Sequence, residues 1–229
     1  MPGVLYAIPA PLGAAAADAL PASALETVRT LRHFVVENAK TARAFLKEIA
    51  MPCAIQELDI SVLEADVARP IETLRSNQSV GLLSEAGCPA IADPGAGLVE
   101  AAHAAGIRVV PLVGPSSIIL ALMASGLEGQ RFAFCGYLPR EAAARDRRIR
   151  ELEARSRRER ETEIFIETPY RNDVLLAALL DRLSEKTLLC AATDLTLPTE
   201  SIRTKPVSAW RRSKPAIGKR PTVFLLLSG

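Results

Sequence analysis

The first half of this 229-residue chain alternates between β-like runs and helix-like stretches, and this alternation is the strongest constraint on its fold. The β-like runs are VLYAI (4–8), HFVVE (33–37), AIQELD (54–59), VGLL (80–83) and RVVPLV (108–113). The helix-like stretches lie at 23–31, 39–49, 62–75, 97–105 and 116–125. Strands that alternate with helices of this length predict βαβ units, and therefore a parallel sheet with helices on its faces.

The second half of the chain has a different spacing. Its β-like runs are at 132–138, 163–168, 188–195, 200–204 and 222–228, and helices are predicted at 140–160 and 172–183. The last three runs are separated by short connections, which favours antiparallel pairing within a mixed sheet. We therefore predict two α/β domains, an N-terminal domain at 1–114 and a C-terminal domain at 115–229.

Composition and residue spacing exclude several classes of protein. No run approaches the ~18 apolar residues that a membrane span needs, so we expect no membrane contact. The first residues lack a basic segment followed by a long apolar core, so we expect no secretory signal and a cytoplasmic location. The four cysteines lie far apart and the two histidines are isolated, so we expect neither a disulfide framework nor a metal site.

Three segments rich in proline and glycine each follow a predicted strand: PAPLG (9–13), SEAGCPAIADPGA (84–96) and VGPSS (113–117). The carboxyl ends of parallel strands meet at one edge of a sheet, where ligands bind, so we expect these loops to form one site. Proline stiffens each loop, and glycine lets backbone approach a ligand. Because the chain has no Gly-rich phosphate-binding motif, we expect an adenosine-containing ligand without phosphate.

Taken in order, the motifs of this chain resemble the tetrapyrrole methylase superfamily, the class III S-adenosylmethionine-dependent methyltransferases. The motifs are PAPLG, SEAGCPAIADPG, IRVVPLVGPSS, ASGL, RFAFCGYLPR and FIETPYR, which together span nearly the whole chain. Within the superfamily they are most similar to the branch that methylates a ribose hydroxyl of small-subunit ribosomal RNA. The resemblance implies two α/β domains, S-adenosylmethionine bound between them, and a homodimer.

The resemblance also implies a set of cofactor-binding residues. In the first domain they are Pro9, Pro11, Gly13, Ser84, Ala86, Gly87, Asp93, Pro94, Gly114, Pro115, Ser116 and Ser117. In the second domain they are Leu138, Pro169, Tyr170, Pro221 and Thr222. Three of these residues also have a purely structural interpretation, Asp93 as a helix N-cap before Pro94 and the two serines as helix-starting residues. Arg171 is either a solvated helix residue or a contact in the cleft.

Four motifs depart from the pattern of the ribosomal RNA branch, and the departures cluster on the expected acceptor side. The motifs are Ala14–Ala17 after the first loop, VENAK (36–40), SEAGCP (84–89) and AATDLTL (191–197). An alcohol acceptor benefits from a general base. We name Glu37 and Glu85 first as candidate catalytic residues, followed by Lys40 and Glu167. A plain ion pair or a solvated charge is the alternative for each.

Two basic stretches are candidates for RNA contact. Residues 140–161 contain nine arginines and six acids, which favours a helix laced with salt bridges over an RNA-binding surface. Residues 203–220 carry seven Lys and Arg residues, no acid and the only Trp, so they are the better candidate for phosphate attraction. A small-molecule acceptor such as a tetrapyrrole, and a non-catalytic protein that only binds the cofactor, remain alternatives to RNA methylation.

Overall fold

The computed structural model describes residues 3–213 and 216–229. The chain divides into two compact units, Met1–Ser116 and Ser117–Gly229, called unit 1 and unit 2 below. Each unit has its own sheet and its own hydrophobic core, so each is treated separately.

Unit 1 is built from alternating strands and helices. The strands are β1 (Leu5–Ile8), β2 (His33–Val36), β3 (Asp59–Val62), β4 (Val80–Leu83) and β5 (Val109–Pro111). The helices are α1 (Ala16–Ala19), α2 (Ala22–Thr30), α3 (Ala39–Glu48), α4 (Ala68–Arg75) and α5 (Ala96–Ala104). All strand pairs are parallel, in the order β3-β2-β4-β1-β5. The parallel sheet expected from the sequence is confirmed, and β1 lies between β4 and β5.

Side chains from successive residues of the unit 1 strands point to opposite faces, and each face is covered by its own helices. Phe34 of β2 joins a cluster with residues of α2 and α3, whereas its neighbour Val35 packs with residues of α4 and α5. All residues of β4 are buried, as expected for a strand with helices on both faces. Helices on both faces therefore hold the sheet rigidly. The carboxyl ends of its strands, where the loops begin, are fixed in position.

Two predicted elements of unit 1 are wrong. The sequence predicts a strand at 54–59, but Ile55–Glu57 form a 3-10 helix and the strand is Asp59–Val62. Gln56 and Glu57 are exposed, whereas the Ile and Val of DISV suit a place beside β2. The helix expected at 62–75 consequently begins only at Ala68.

Unit 2 contains a mixed sheet, as expected from the sequence. Its strands are β6 (Phe132–Tyr137), β7 (Thr162–Ile166), β8 (Leu188–Thr193), β9 (Ser201–Pro206) and β10 (Thr222–Leu227). Its helices are α6 (Ser117–Ser125), α7 (Ala142–Glu159), α8 (Asn172–Arg182) and α9 (Val207–Ser213), of which α9 was not predicted. The order is β6-β7-β10-β8-β9, in which β6 and β7 are parallel and the other neighbours are antiparallel.

The core of unit 2 joins the central strands to α7, α8 and α9. Phe165 of β7 and Phe224 of β10 are fully buried and stack with ring centroids 6.0 Å apart. Trp210 of α9 is also buried, and its indole N–H donates to the carbonyl of Leu189 at 2.8 Å. The indole therefore packs in the core and is not a stacking platform for a base.

A helix that spans a bilayer must be both long and apolar. Among the described residues, no helix meets both requirements.

Candidate functional site

The first and second proline- and glycine-rich loops are joined directly at the carboxyl edge of the unit 1 sheet. Ala10 donates its backbone N–H to the carbonyl of Gly87 at 2.8 Å, and Gly87 donates back to Ala10 at 2.9 Å. The two loops emerge from β1 and β4, which are neighbours in the sheet. They therefore form one rigid unit at this edge.

The long loop, 84–96, owes its shape to four residues with positive φ. Gly87 (φ 74°) and Gly95 (φ 132°) adopt this region readily, whereas Ala90 (φ 64°) and Ala92 (φ 65°) do so at a cost in backbone strain. The N–H of Ala90 donates to the carbonyl of Pro94 at 3.3 Å and closes the loop on itself. The loop is thus a fixed structure that the surrounding contacts hold in place.

The third loop packs against the other two. A Cβ added to Gly114 would lie 2.4 Å from Cβ of Pro9, so only glycine allows this approach. The thiol of Cys88 lies 3.5 Å from the carbonyl oxygen of Pro115. Burial, and to a lesser extent the charge of Asp93, raises the pKa of this thiol above its ordinary value. The structure therefore brings together the three loops that the sequence singled out.

Acidic side chains gather where β2 and β4 end. A carboxylate oxygen of Glu37 accepts the backbone N–H of Glu85 at 3.1 Å, and the Glu85 carboxylate accepts the hydroxyl of Thr41 at 3.3 Å. Burial, together with the charges of Glu37 and Glu85, raises the pKa of Asp93 to about 6, although Ser84 opposes the shift. We call Glu37, Glu85 and Asp93 the acidic rim.

The N-cap interpretation of Asp93 is wrong. Helix α5 begins at Ala96 and its N-cap is Gly95, which contributes no side-chain hydrogen bond. Asp93 and Pro94 lie in the loop before this cap and not at the first helical positions. The carboxylate of Asp93 therefore does not cap α5, and Asp93 is described below as a member of the acidic rim.

A cavity of about 230 Å³ lies between the first loop, the start of the long loop and α3. Pro11, Gly13 and Ala14 line one side of this cavity, and Ser84 and Glu85 line another. Helix α3 contributes Thr41, Ala42, Ala44, Phe45 and Glu48. The Glu48 carboxylate also accepts the N–H of Ala16 at 2.7 Å, which fixes the start of α1 against α3.

The sequence did not single out the α3 residues of this cavity. Thr41, Phe45 and Glu48 follow a spacing of three and four residues, which places them on one side of a helix. That spacing indicates a shared face but does not reveal which loop the face meets. Lys40, one of the candidate bases, is exposed, and its backbone N–H donates to the N-cap Asn38.

Comparison with known proteins decides the family. The sequence model of the family described as Tetrapyrrole (Corrin/Porphyrin) Methylases matches residues 4–209, most of the chain. The chain belongs to the tetrapyrrole methylase family. It is accordingly a methyltransferase, and its two α/β units are those expected from the resemblance.

Two relatives of this tetrapyrrole methylase bear the name Ribosomal RNA small subunit methyltransferase I. The protein from Xylella fastidiosa (strain Temecula1 / ATCC 700964) is 34% identical over 201 residues, covering 88% of this chain and 71% of the relative. The protein from Mesorhizobium japonicum (strain LMG 29417 / CECT 9101 / MAFF 303099) is 35% identical over 210 residues, covering 90% of this chain and 68% of the relative.

Solved structures confirm the fold. The crystal structure of the methyltransferase CobJ aligns with a TM-score of 0.66 and 18% identity, covering 100% of this chain and 95% of CobJ. That of diphthine synthase aligns with a TM-score of 0.69 and 15% identity, covering 98% and 89%. At these identities the likeness concerns the fold of the tetrapyrrole methylase alone.

The candidate residues of unit 2 lie at one edge of its sheet. Leu138 follows β6, Pro169 and Tyr170 follow β7, and Pro221 and Thr222 stand at the start of β10, which runs antiparallel to β7. Leu138 and Thr222 are buried, whereas Tyr170 is 78% exposed beneath Lys219, whose Nζ is 5.0 Å from the ring centroid.

Two further polar residues mark this edge of unit 2. Glu167 is buried and lies 3.2 Å from the guanidinium of Arg171, so Arg171 is ion-paired and not simply solvated. The Asn172 side chain is fully buried and donates to the carbonyls of Gly218 and Arg220 at 3.2 and 2.7 Å. Glu167, the remaining candidate base, therefore already has a cationic partner.

The basic stretch 203–220 contains fewer free charges than its sequence indicates. Arg211 donates to the carbonyls of Leu180 and Leu183 near the end of α8, at 2.6 and 2.9 Å. Arg220 pairs with Asp194 at 2.7 Å, and Lys205 lies over the ring of Trp210. Lys214, which belongs to this stretch, lies outside the described residues. Arg211, Arg220 and Lys205 are therefore already engaged within unit 2.

Proposed function

We propose that this chain transfers a methyl group from S-adenosylmethionine to a ribose 2′-hydroxyl of small-subunit ribosomal RNA. The names of the relatives supply the acceptor class, and most of this chain aligns with them. The observation that carries the proposal is the joining of the three loops at one edge of a rigid parallel sheet. Ligands of such sheets bind at this edge.

The chemistry of the three loops fits this cofactor. Residues 9–13, 84–96 and 113–116 contain no Lys or Arg, so they offer no partner for a phosphate group. They do offer backbone N–H and carbonyl groups, the buried hydroxyl of Ser84, and the neighbouring acidic rim. A carboxylate lowers the free energy of a nearby cation such as a sulfonium. The bound cofactor would supply an activated methyl group, so the protein need not activate a leaving group.

The residues of the chain would then act by positioning and by taking up a proton. Stiff loops hold two reactants in line, which supplies most of the acceleration for such a transfer. A ribose hydroxyl must lose its proton, and the acidic rim offers acceptors within one short stretch of the sheet edge. We propose Glu85, which is exposed, as the proton acceptor and Glu37, which holds the Glu85 backbone, as its support.

We also propose that the protein works in the cytoplasm as a homodimer, as the family resemblance implies. Helix α6 supports self-association, because Ile119 and Met123, one turn apart, are 44% and 74% exposed. Light scattering on the purified protein measures the oligomeric state. A monomer at micromolar concentration would contradict the dimer and leave the proposed reaction untouched.

The proposed reaction is tested with small-subunit RNA from a strain that lacks this protein. We expect the purified protein to transfer label from methyl-labelled S-adenosylmethionine to this RNA, and the label to reside on a ribose oxygen. RNA from the parent strain, which already carries the methyl group, is the control acceptor. Glu85→Gln should lower kcat by roughly 10²- to 10⁴-fold while the cofactor still binds.

The outcomes separate the proposed function from its rivals. Calorimetry shows whether the protein binds S-adenosylmethionine at all. Binding without transfer to RNA, but with transfer to a tetrapyrrole, would favour the small-molecule acceptor. Binding with no transfer to either would favour a non-catalytic protein, and no binding would overturn the cofactor assignment.

A further inference from the structure

A cavity of about 490 Å³ lies beside the second half of α3, in unit 1. Arg43 and Lys47 of this helix line it, together with residues from the segment 50–56 that follows the helix. The lining residues that the structure describes include two cations and no carboxylate, hence a net charge of +2. The volume falls within the range of about 300–1,000 Å³ that is typical of small-ligand sites. We call this cavity the cationic cavity.

The two cations of the cationic cavity are accessible and lack an acidic partner. Both side chains are exposed. Neither takes part in an ion pair among residues 3–213 and 216–229, where the ion pairs of unit 1 are those of Asp59 with His33 and Arg69. Arg43 and Lys47 are four residues apart on one side of α3, and like charges at this spacing destabilise a helix. The stability of α3 therefore does not explain the pair.

The end of α3 is also satisfied without the side chain of Lys47. A cation in the last turn of a helix commonly serves the unpaired carbonyls there. Here Arg29 of α2 donates its Nε–H to the carbonyl of Ile49 at 2.8 Å, and the N–H of Ala50 donates to the carbonyl of Lys47 at 3.1 Å. These last carbonyls already have donors, so the ammonium group of Lys47 is available to a ligand.

The cationic cavity adjoins the cavity beside the acidic rim. Ala44 lines both of them. Helix α3 contributes Thr41 and Glu48 to the cavity beside the rim, and Arg43 and Lys47 to the cationic cavity. In an RNA chain each ribose is bonded directly to a phosphate. A strand with a ribose at the acidic rim can therefore continue along α3 and bring a phosphate to the two cations.

The positive charge of unit 1 is concentrated at this surface. Unit 1 carries 8 Lys and Arg against 12 Asp and Glu, a net −4, whereas unit 2 carries 20 against 14, a net +6. Yet residues 29–47 hold five of the eight cations of unit 1 and a single acid, Glu37. Attraction between exposed charges fades over about 10 Å at moderate salt, so the local surplus decides which ligand is attracted here.

We propose that the cationic cavity binds a phosphate group of the RNA substrate between Arg43 and Lys47. This inference rests on the proposed function for the identity of the ligand. Arg43 offers a planar fork of N–H donors and Lys47 a compact charge, and both are common partners of phosphate. Met51 and Ile55, which are partly buried, provide an apolar wall against which the adjoining sugar packs.

The test is RNA affinity measured by fluorescence anisotropy with a labelled single-stranded fragment of the small-subunit RNA, over a series of salt concentrations. We expect the double variant Arg43→Gln/Lys47→Gln to bind about tenfold more weakly, with a slope of log K against log salt that is shallower by about one. Arg43→Lys keeps the charge and should retain most of the affinity. The replaced side chains are exposed, so the variants should fold like the wild type, which thermal unfolding checks.

Arg75→Gln is the matched control. Arg75 is an exposed residue of unit 1 that makes no ion pair among the described residues. It lies on α4, whose buried residues Ile71 and Leu74 pack on the other face of the sheet from α3. The variant removes the same charge from the same unit but away from the cationic cavity. Its RNA affinity and salt slope should be those of the wild type.

Cys53 gives a second, local measurement because its partly exposed thiol lines the cationic cavity. We expect a saturating concentration of the RNA fragment to slow alkylation of Cys53 by iodoacetamide severalfold, as followed by mass spectrometry. In the double variant the same RNA concentration should protect Cys53 much less. Protection by inorganic phosphate but not by RNA would indicate a site for free phosphate and contradict the proposal.

Equal RNA affinity and equal salt slope for the wild type and the double variant would overturn the phosphate site. Methyl transfer to RNA by the wild type is measured separately, so the phosphate site can fail while the proposed function stands. RNA binding that depends on Arg43 and Lys47 without any methyl transfer would contradict the function and support the site. No RNA binding by the wild type would overturn both.

Discussion

Asp93 carries the clearest electrostatic consequence at the scale of single residues. Its folded-state pKa, about 6, lies above the ordinary value because burial and the charges of Glu37 and Glu85 disfavour the carboxylate. The folded protein therefore binds a proton more tightly than the unfolded chain does. By linkage, Asp93 makes the protein less stable as the pH rises from about 4 to 6.

We expect Asp93→Asn to remove this penalty. Above pH 6 the variant should be more stable than the wild type by roughly 1 kcal/mol, a figure reduced for the partial exposure of the carboxyl group. Below pH 4 the two proteins should have the same stability. Urea unfolding between pH 4 and pH 8 measures the difference, and a difference that does not change with pH would contradict protonation of Asp93 as its cause.

Gly114 and Gly97 offer a comparison of one substitution at two positions. Gly114→Ala places a Cβ 2.4 Å from Pro9, so we expect a loss of about 1–3 kcal/mol in the free energy of unfolding and weaker cofactor binding. Gly97→Ala, at the start of α5, meets nothing within 4 Å and should be neutral or stabilising by up to about 1 kcal/mol. Thermal unfolding and calorimetry with S-adenosylmethionine distinguish the two.

Helix α7 shows, at the scale of elements, how a charged helix is fixed to a sheet. Arg155 binds both oxygens of Glu163 on β7, which is fully buried, and lies 2.8 Å from Glu161. Cys135 on β6 donates to the same carboxylate at 3.1 Å, and burial, together with this bond, raises its pKa to about 11. Helix α7 thus supplies the cation that pairs with the buried carboxylate of Glu163 in the sheet.

Breaking this contact should be costly. Arg155→Met leaves Glu163 charged and buried without its partner, so we expect a loss of about 3 kcal/mol in the free energy of unfolding. Adding Glu163→Gln should restore part of that loss. Arg158→Gln, on the exposed side, should change stability by less than about 0.5 kcal/mol. A double variant no more stable than Arg155→Met would show that the buried charge is not the cause.

The elements also show what sequence can and cannot predict. The strands of both sheets follow from runs of branched and aromatic residues, since such runs pack well in a sheet. The strand at 54–59 was misplaced because AIQELD begins with Ala and Ile and contains Leu58, while the exposed Gln56 and Glu57 decide against a strand there. Which side of α3 lines the cavity depends on how the first loop folds back against this helix. The hydrogen bond from the backbone N–H of Ala16 to the Glu48 carboxylate fixes that arrangement.

The same limit applies to the basic residues. Spacing in the sequence shows that positive charges are near one another, but not which of them already have a hydrogen-bond or ion-pair partner in the folded chain. Arg211 caps the end of α8 and Arg220 pairs with Asp194, although both belong to the stretch without acids. Arg145 lies in the stretch 140–161, which contains six acids, and yet has no ion pair with a carboxylate among the described residues. Three-dimensional pairing, not composition, decides which cation is free.

The separation of charge acts at the scale of the whole molecule. Unit 1 is net −4, and S-adenosylmethionine is net positive, whereas S-adenosylhomocysteine has lost the charge on sulfur. We expect S-adenosylmethionine to lose up to about threefold more affinity than S-adenosylhomocysteine when salt rises from about 50 mM to about 500 mM, because salt screens the attraction to the acidic rim. Calorimetry at the two salt concentrations measures both, and equal losses would argue against a role for the rim.

The mutual backbone bonds of Ala10 and Gly87 have a practical consequence for protein engineering. Exchanging residues 84–96 for the corresponding segment of a relative, to change substrate preference, would place a loop of different shape beside residues 9–13. The backbone N–H and carbonyl of Ala10 would then lose their partners. A chimera should therefore transplant residues 9–13 together with residues 84–96, as a single cassette.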